Sequence, residues 1–84
     1  LQLLQNQPNP FNGTTTIGFV LPEACELQLR IFDTAGRLIT ERRAQYPAGG
    51  HAERFDLENA TGVLYYELVT PFGILAKKMT VIGE

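Results

Sequence analysis

Apolar and polar side chains alternate along most of this chain, with the two-residue period expected of half-buried β-strands. The clearest run lies between residues 25 and 31, where the apolar members are Cys25, Leu27, Leu29 and Ile31. An earlier run carries Ile17, Phe19 and Leu21 on one face and is stopped by Pro22. No window sustains the 3.6-residue apolar stripe of an amphipathic helix. The pattern therefore predicts an all-β protein.

Turn-forming residues divide this pattern into six strands between Thr14 and Ile82, with a possible seventh at residues 1–4. The segments expected to turn or loop are residues 33–36, 46–50, 59–62 and 71–73. The first begins with Asp33 and ends with Gly36, as a type I hairpin turn does. Each sheet has one apolar face that needs a second layer to cover it. The strands therefore predict an antiparallel, immunoglobulin-like β-sandwich of about seven short strands.

Two strands can be assigned positions in the predicted sandwich. Residues 37–44 become charged toward their end, which is typical of an edge strand. The last strand, residues 74–82, is expected to pair with residues 63–70 as a hairpin. Alternation places its inward-facing side chains at Leu75, Met79 and Val81, and its outward-facing ones at Ile74, Lys78 and Thr80.

The N-terminal segment follows a different pattern. Pro8 and Pro10 hold the residues before them extended, so residues 5–10 are expected to run as polyproline-like chain. They lie within an extended N-terminal segment, residues 1–12, beside a sandwich of residues 13–84. Phe11 follows directly and is expected to anchor this segment on the sandwich. Together residues 1–84 are expected to form a single domain.

Composition narrows the function classes. Of the 84 residues, 44% are hydrophobic and 19% charged, which is typical of a globular domain. The net charge of −2 gives no basic surface for nucleic acid, and no apolar run reaches the roughly 20 residues of a membrane span. No charged-then-apolar signal peptide begins at Leu1, so we expect the chain to be part of a longer protein.

The chain offers few of the residues that catalysis or metal binding requires. The one cysteine, Cys25, is in phase with core positions and is expected to be buried there. The one histidine, His51, is expected to start a strand after the loop at residues 46–50. Asp33, Asp56 and Glu58 fit no calcium-loop spacing. We therefore expect no catalytic residue, no cofactor and no metal site.

Aromatic and basic residues admit two readings each. Tyr65 and Tyr66 are adjacent, so on a strand they face opposite sides, one in the core and one partly exposed. That arrangement argues against a sugar-stacking platform. Lys77 and Lys78 are consistent with a receptor contact, although lysines on a terminal strand more often protect an edge.

Several motifs, taken together, resemble one known family. The segments in chain order are L-Q-N-Q-P-N-P-F-N at residues 4–12, T-T-I-G-F-V-L-P at 15–22, L-R-I-F-D-T-A-G-R at 29–37, G-V-L-Y-Y-E-L at 62–68 and K-K-M-T-V-I at 77–82. Their order and spacing are similar to those of the C-terminal sorting domains of the type IX (Por) secretion system. The combination of P-N-P-F-N near one end and K-K-M near the other is the specific part.

The resemblance implies a non-catalytic sorting signal. Such a domain directs an N-terminal cargo across the outer membrane of a Gram-negative bacterium of the Bacteroidota type, by way of the periplasm, to the cell surface or the medium. Its implied partners are outer-membrane type IX translocon components and a sortase-like cysteine peptidase, which would cut at or before residues 1–7. The recognition residues that it suggests are Gly62, Val63, Lys77, Lys78, Met79, Val81 and Ile82.

Two other classes remain open from the sequence. One is a ligand-binding accessory module of the carbohydrate-binding type in a secreted protein. Exposed coplanar aromatic rings on one face would favour it. The other is a structural spacer domain. A sandwich fold alone does not decide between them, because sandwiches host many functions.

Overall fold

The computed structural model describes residues 1–58 and 60–82, which form seven strands and no helix. The strands are β1 (Gln2–Leu3), β2 (Thr14–Leu21), β3 (Cys25–Phe32), β4 (Leu38–Tyr46), β5 (Gly49–Asp56), β6 (Gly62–Thr70) and β7 (Gly73–Val81). The predicted all-β class is confirmed, and the possible seventh strand is present as β1.

Two antiparallel sheets form the sandwich. One has the strand order β1-β2-β5, and the other has the order β4-β3-β6-β7. The predicted sandwich is thus confirmed. Residues 37–44 were expected at an edge, and β4 is indeed an outer strand of the four-stranded sheet. The last strand, β7, is the other outer strand.

The core lies between the sheets and follows the alternation of the sequence. In β2 and β3 every second side chain is buried, including Ile17, Phe19, Leu29 and Ile31. Cys25 joins them with only 7% of its surface exposed, as predicted from its phase. Burying one such aliphatic or aromatic side chain contributes about 1.5–3 kcal/mol. This layer is the main source of stability, because the only cysteine cannot form an internal disulfide.

The β3–β4 connection is the turn expected from Asp33 and Gly36. The backbone N–H groups of Ala35 and Arg37 both donate to Asp33 Oδ1, at 3.0 and 2.9 Å. Gly36 has a φ of +84°, which other residues rarely adopt. The hydrogen bond from the Arg37 backbone is the main cause that lowers the pKa of the Asp33 carboxyl. Turn geometry thus accounts for this acidic residue.

Three expected loops differ from the structure at their ends. The loop predicted at residues 46–50 contains only Pro47 and Ala48 in the structure. Tyr46 pairs with Cys25 at the end of β4, and Gly49 and Gly50 pair with the end of β2, so the prediction is wrong for these three residues. The loop at residues 71–73 shortens to two residues, because Gly73 pairs with Thr70. Of the turn expected at residues 59–62, residue 59 lies outside the described residues, and residue 62 already belongs to β6.

The polyproline-like expectation for the N-terminal segment is wrong. A polyproline helix has a solvated backbone, whereas this backbone is hydrogen-bonded to β2. The Leu4 N–H donates to the Gly18 carbonyl at 2.9 Å, and Gln7 and Thr16 exchange two N–H···O bonds of 2.9 Å. Both X–Pro bonds, before Pro8 and before Pro10, are cis. We call residues 4–12 the strap, because they cross from one sheet to the other.

Candidate recognition site

The β6–β7 hairpin carries the recognition residues suggested by the sequence between its middle and the end remote from the turn. Gly62 lies opposite Val81, and Val63 lies opposite Thr80, at the end remote from the turn. Further along the ladder, Lys78 lies opposite Tyr65. The gathered set is Gly62, Val63, Lys77, Lys78, Met79, Val81 and Ile82.

The members of this set differ in accessibility. Met79 and Val81 are buried, so they hold β7 on the core and offer no surface to a partner. Val63 is half-buried. The exposed members are Gly62, Lys77, Lys78 and Ile82. Only these four and the edge of Val63 can contact another protein while the domain stays folded.

The strap lies along the outer edge of β7 at this same end. The Gln5 side-chain amide donates to the Lys78 carbonyl at 2.8 Å, and the Asn9 side-chain oxygen accepts the Thr80 N–H at 2.9 Å. Phe11 continues the pairing with its backbone: its N–H donates to the Thr80 carbonyl at 3.1 Å, and its carbonyl accepts the Ile82 N–H at 2.7 Å. The strap therefore replaces a neighbouring strand along this part of the edge.

A buried polar cluster fastens the strap between the sheets. Asn6 is fully buried, and its side-chain amide donates to the Thr15 hydroxyl at 3.0 Å and to the Pro8 carbonyl at 3.2 Å. The Asn6 N–H donates to the Tyr66 hydroxyl at 2.9 Å, and this hydroxyl donates to the Leu4 carbonyl at 2.7 Å. Because buried polar groups are costly without partners, this mutual satisfaction allows them to lie in the core.

Phe11 completes the attachment. Its ring is 1% exposed and belongs to the core, and its backbone forms a parallel bridge to Val81. The sequence-based expectation of an aromatic anchor is thus confirmed as a packing arrangement. The anchor joins the strap to the last residues of β7, so that the two ends of the chain stabilise each other.

Burial also affects the ionisation of the Tyr66 hydroxyl. Desolvation raises the pKa of Tyr66 above its usual value, and the hydrogen bond from the Asn6 backbone partly opposes this rise. The hydroxyl therefore stays protonated at neutral pH, where it can donate to the Leu4 carbonyl and accept from Asn6 at the same time.

The motif segments that meet at this site belong to one sequence family. Residues 7–81 match the family model described as the secretion system C-terminal sorting domain. The chain belongs to this family. Its members are type IX sorting signals, which lead an N-terminally attached protein out of the cell through the secretion machinery, and they are generally non-catalytic. No curated protein and no solved structure matches the chain.

The residue types that often act in catalysis or metal binding have structural roles in this sorting domain. His51 contacts the Pro47 carbonyl through Nε2 at 2.7 Å and so closes the β4–β5 loop. Across residues 1–58 and 60–82 no three His, Cys, Asp or Glu side chains cluster as metal ligands would. Nor does this part of the chain contain a helix of the length and apolarity that crossing a bilayer requires.

Sequence reasoning missed the amide side chains of the sorting domain's strap. The sequence marks Gln5, Asn6 and Asn9 as parts of a motif but indicates no role for any of them. A signal was present, because the amide side chains at residues 5–7 and 9 supply hydrogen-bonding groups beside two prolines, which lack backbone N–H donors. The Gln5 and Asn9 side chains bond to β7, 73 and 71 residues away in the sequence, and no local pattern identifies such partners.

Proposed function

We propose that this domain is the signal that directs an N-terminal cargo through the outer-membrane type IX translocon to the cell surface. The family match over residues 7–81 is the observation that supports the proposal most strongly. The two most specific motifs of the sequence also lie next to each other in the fold, where the strap is hydrogen-bonded to β7. P-N-P-F-N in the strap and K-K-M in β7 form one surface. The two motifs are distant in the sequence and adjacent only in the fold. A receptor that binds this surface would therefore recognise the folded domain.

The recognition residues that we propose are the exposed members of the hairpin end. Lys77 and Lys78 present two positive charges that form no ion pair within 4.0 Å among residues 1–58 and 60–82. Ile82 adds an exposed apolar side chain beside the strap. Met79 and Val81 act indirectly, because their burial fixes the position of these three.

The domain is then a substrate of the export machinery. A sortase-like cysteine peptidase, the second proposed partner, needs an extended and accessible segment. Leu3 and Asn6 are buried and residues 2–3 are paired with β2, so the part of the chain nearest the fold is protected. We therefore propose that the cut lies before Gln2, and with it the junction between the cargo and the domain.

A reporter fusion tests the proposal. The domain is fused to the C-terminus of a periplasm-targeted fluorescent protein in a type IX-competent host, and surface and periplasmic fractions are measured. The intact domain is expected to bring the reporter to the surface, whereas removal of residues 78–84 leaves it in the periplasm. Because this deletion also removes the buried Met79 and Val81, a second variant, Leu29→Ala on the core side of β3, measures how far unfolding alone affects export. Surface delivery by the deleted form at the intact level would overturn the proposal.

A further inference from the structure

The strap covers only part of the outer edge of β7. Thr70 and Gly73 flank the two-residue turn, so odd-numbered residues of β7 pair with β6 and even-numbered ones direct their backbone groups outward. The strap bonds to the Lys78 carbonyl, to both backbone groups of Thr80 and to the Ile82 N–H. Among the described residues, the outward backbone groups of Ile74 and Ala76 have no partner.

We propose that this open edge, residues 74–78, is a strand-addition site for an extended segment of a partner protein. The segment has two adjacent apolar residues where it passes Ile74 and Leu75, and two adjacent acidic residues where it passes Lys77 and Lys78. The inference rests on the proposed function, and it adds how the export machinery would hold the hairpin. Strand addition is a general mode of recognition, in which main-chain hydrogen bonds give affinity and alternate side chains give specificity.

The side chains along the open edge define the chemistry of the segment. On the outer face, Ile74 is 62% exposed, the most exposed of the large hydrophobic side chains described, and Lys78 lies on the same face four residues later. On the opposite face, Leu75 is half-buried and Lys77 is exposed. Each face thus presents one apolar residue near the turn and one lysine near the strap.

Charge complementarity selects an acidic partner. The five ion pairs found between described residues engage Arg30, Arg37, Arg42 and Arg54, and neither lysine of β7 takes part. Glu67, which lies opposite Ala76 on β6, contacts Arg30 at 3.6 Å. An incoming carboxylate beside Lys77 or Lys78 therefore meets a positive charge that no acidic group of residues 1–58 and 60–82 neutralises.

The rest of the edge shows why the site is confined to these residues. Proteins commonly protect edge strands with charged side chains or covering segments. Here the covering segment ends at Gln5, whose side chain reaches the Lys78 carbonyl. Toward the turn, Leu1 lies on the inward face of Gly73, at 3.8 Å from the position that a Cβ atom would occupy, and β1 approaches β7 from the other sheet without joining its ladder. The open edge therefore begins at Ile74, beside the turn, and ends where Gln5 reaches the Lys78 carbonyl.

A proline substitution tests the site directly. The Ala76 N–H points outward and serves no bond to β6, so Ala76→Pro removes an edge donor and leaves the hairpin ladder intact. The probe is a capped synthetic peptide of about nine residues, a usual strand length, in which two adjacent glutamates and two adjacent valines are separated by one threonine. A second peptide has lysine in place of glutamate. Ile31→Val, a core change in β3, controls for lost stability.

The acidic peptide is expected to bind the wild type and Ile31→Val, and to bind Ala76→Pro about tenfold more weakly, the effect of one lost hydrogen bond. The lysine peptide is expected to bind the wild type more weakly than the acidic one, and to regain binding with Lys78→Glu. Hydrogen exchange at Ala76 should slow only when the acidic peptide is present. Equal binding of both peptides, or of Ala76→Pro and wild type, overturns the inference.

Two further outcomes separate this inference from its alternatives. A wild-type dimer that sedimentation shows to dissociate on Ala76→Pro would make a second copy of the chain the occupant, and would contradict the inference. In the reporter assay, Ala76→Pro is expected to lower export, whereas Ile31→Val is not. Normal export of Ala76→Pro alongside failed export of the deletion would refute strand addition and leave the sorting function standing. Normal export of both would refute the sorting function itself.

Discussion

The backbone of Asn6 and the hydroxyl of Tyr66 are hydrogen-bonded at 2.9 Å in the interior of the sandwich, 60 residues apart in sequence. The same hydroxyl donates to the Leu4 carbonyl at 2.7 Å, so one side chain of β6 holds two backbone groups of the strap. The strap in turn covers the end of β7. Stability of the hairpin end and attachment of the strap are therefore coupled through Tyr66.

Removing this hydroxyl should weaken the whole domain. Tyr66→Phe leaves the Asn6 N–H and the Leu4 carbonyl without their partner, and an unsatisfied buried group costs about 1–3 kcal/mol. Urea denaturation measures the change in the free energy of unfolding. Tyr65→Phe is the matched control, because Tyr65 is 44% exposed and should change stability by less than about 0.5 kcal/mol. Equal effects of the two variants would contradict the role assigned to Tyr66.

Stability should fall in alkaline solution because of the same residue. The pKa of Tyr66 is raised in the folded state by burial, while in the unfolded chain it is about 10. The contribution of the neutral hydroxyl is fully present below about pH 10 and is lost as the pH rises through the folded-state pKa. Tyr46 adds to this loss, since burial and Glu53 raise its pKa as well.

Unfolding free energies measured across the alkaline range test this dependence. In Tyr66→Phe the loss should be smaller than in the wild type, and Tyr46→Phe should remove a separate part of it. A wild-type domain whose stability stays constant from neutral pH to well above pH 10 would be inconsistent with these raised pKa values.

Truncation of the aromatic anchor should be costly. Phe11 is almost fully buried, and Phe→Ala changes in cores cost about 3–5 kcal/mol. Phe72, in the β6–β7 turn, is 41% exposed, so Phe72→Ala is the comparison with the same chemical change at a partly exposed site. Thermal and urea unfolding give both values. A loss below about 1 kcal/mol for Phe11→Ala would show that the strap is loosely attached.

The Cys25 thiol should be protected from reagents. It lies at the start of β3 opposite Tyr46 and belongs to the core. A thiol reagent should therefore label it only as fast as the domain opens, and the labelling rate should rise with urea. Prompt labelling of the native protein would show that the core is open to solvent at the start of β3.

Strand positions were predictable because they depend on local alternation. The run from Cys25 to Ile31 identified β3 and its buried face, and the opposite orientation of Tyr65 and Tyr66 follows from the same rule. The edge position of β4 followed from its charges. These features need no knowledge of distant residues, and they account for most of the fold.

The strap was not predictable because its structure depends on distant partners. Two prolines suggest an isolated extended segment, yet Gln5 and Asn9 bond to residues at the opposite end of the chain. Likewise the local sequence predicts a loop at Gly49 and Gly50, whereas both residues pair with the end of β2. In both cases tertiary pairing overrides the local preference. The recognition residues came from family resemblance, and the structure adds which of them are exposed.

Export of a Lys78→Ala reporter fusion is the most direct test of the claim that the hairpin end carries the sorting signal. Lys78 is exposed and forms no ion pair among the described residues, so its removal should change the free energy of unfolding by less than about 0.5 kcal/mol. Arg43→Ala removes an exposed positive charge from β4, at the far edge of the same sheet, and is the matched control. The account predicts that Lys78→Ala shifts reporter from the cell surface to the periplasm while Arg43→Ala does not. Wild-type surface levels for Lys78→Ala, or an equal decrease for both variants, would contradict it.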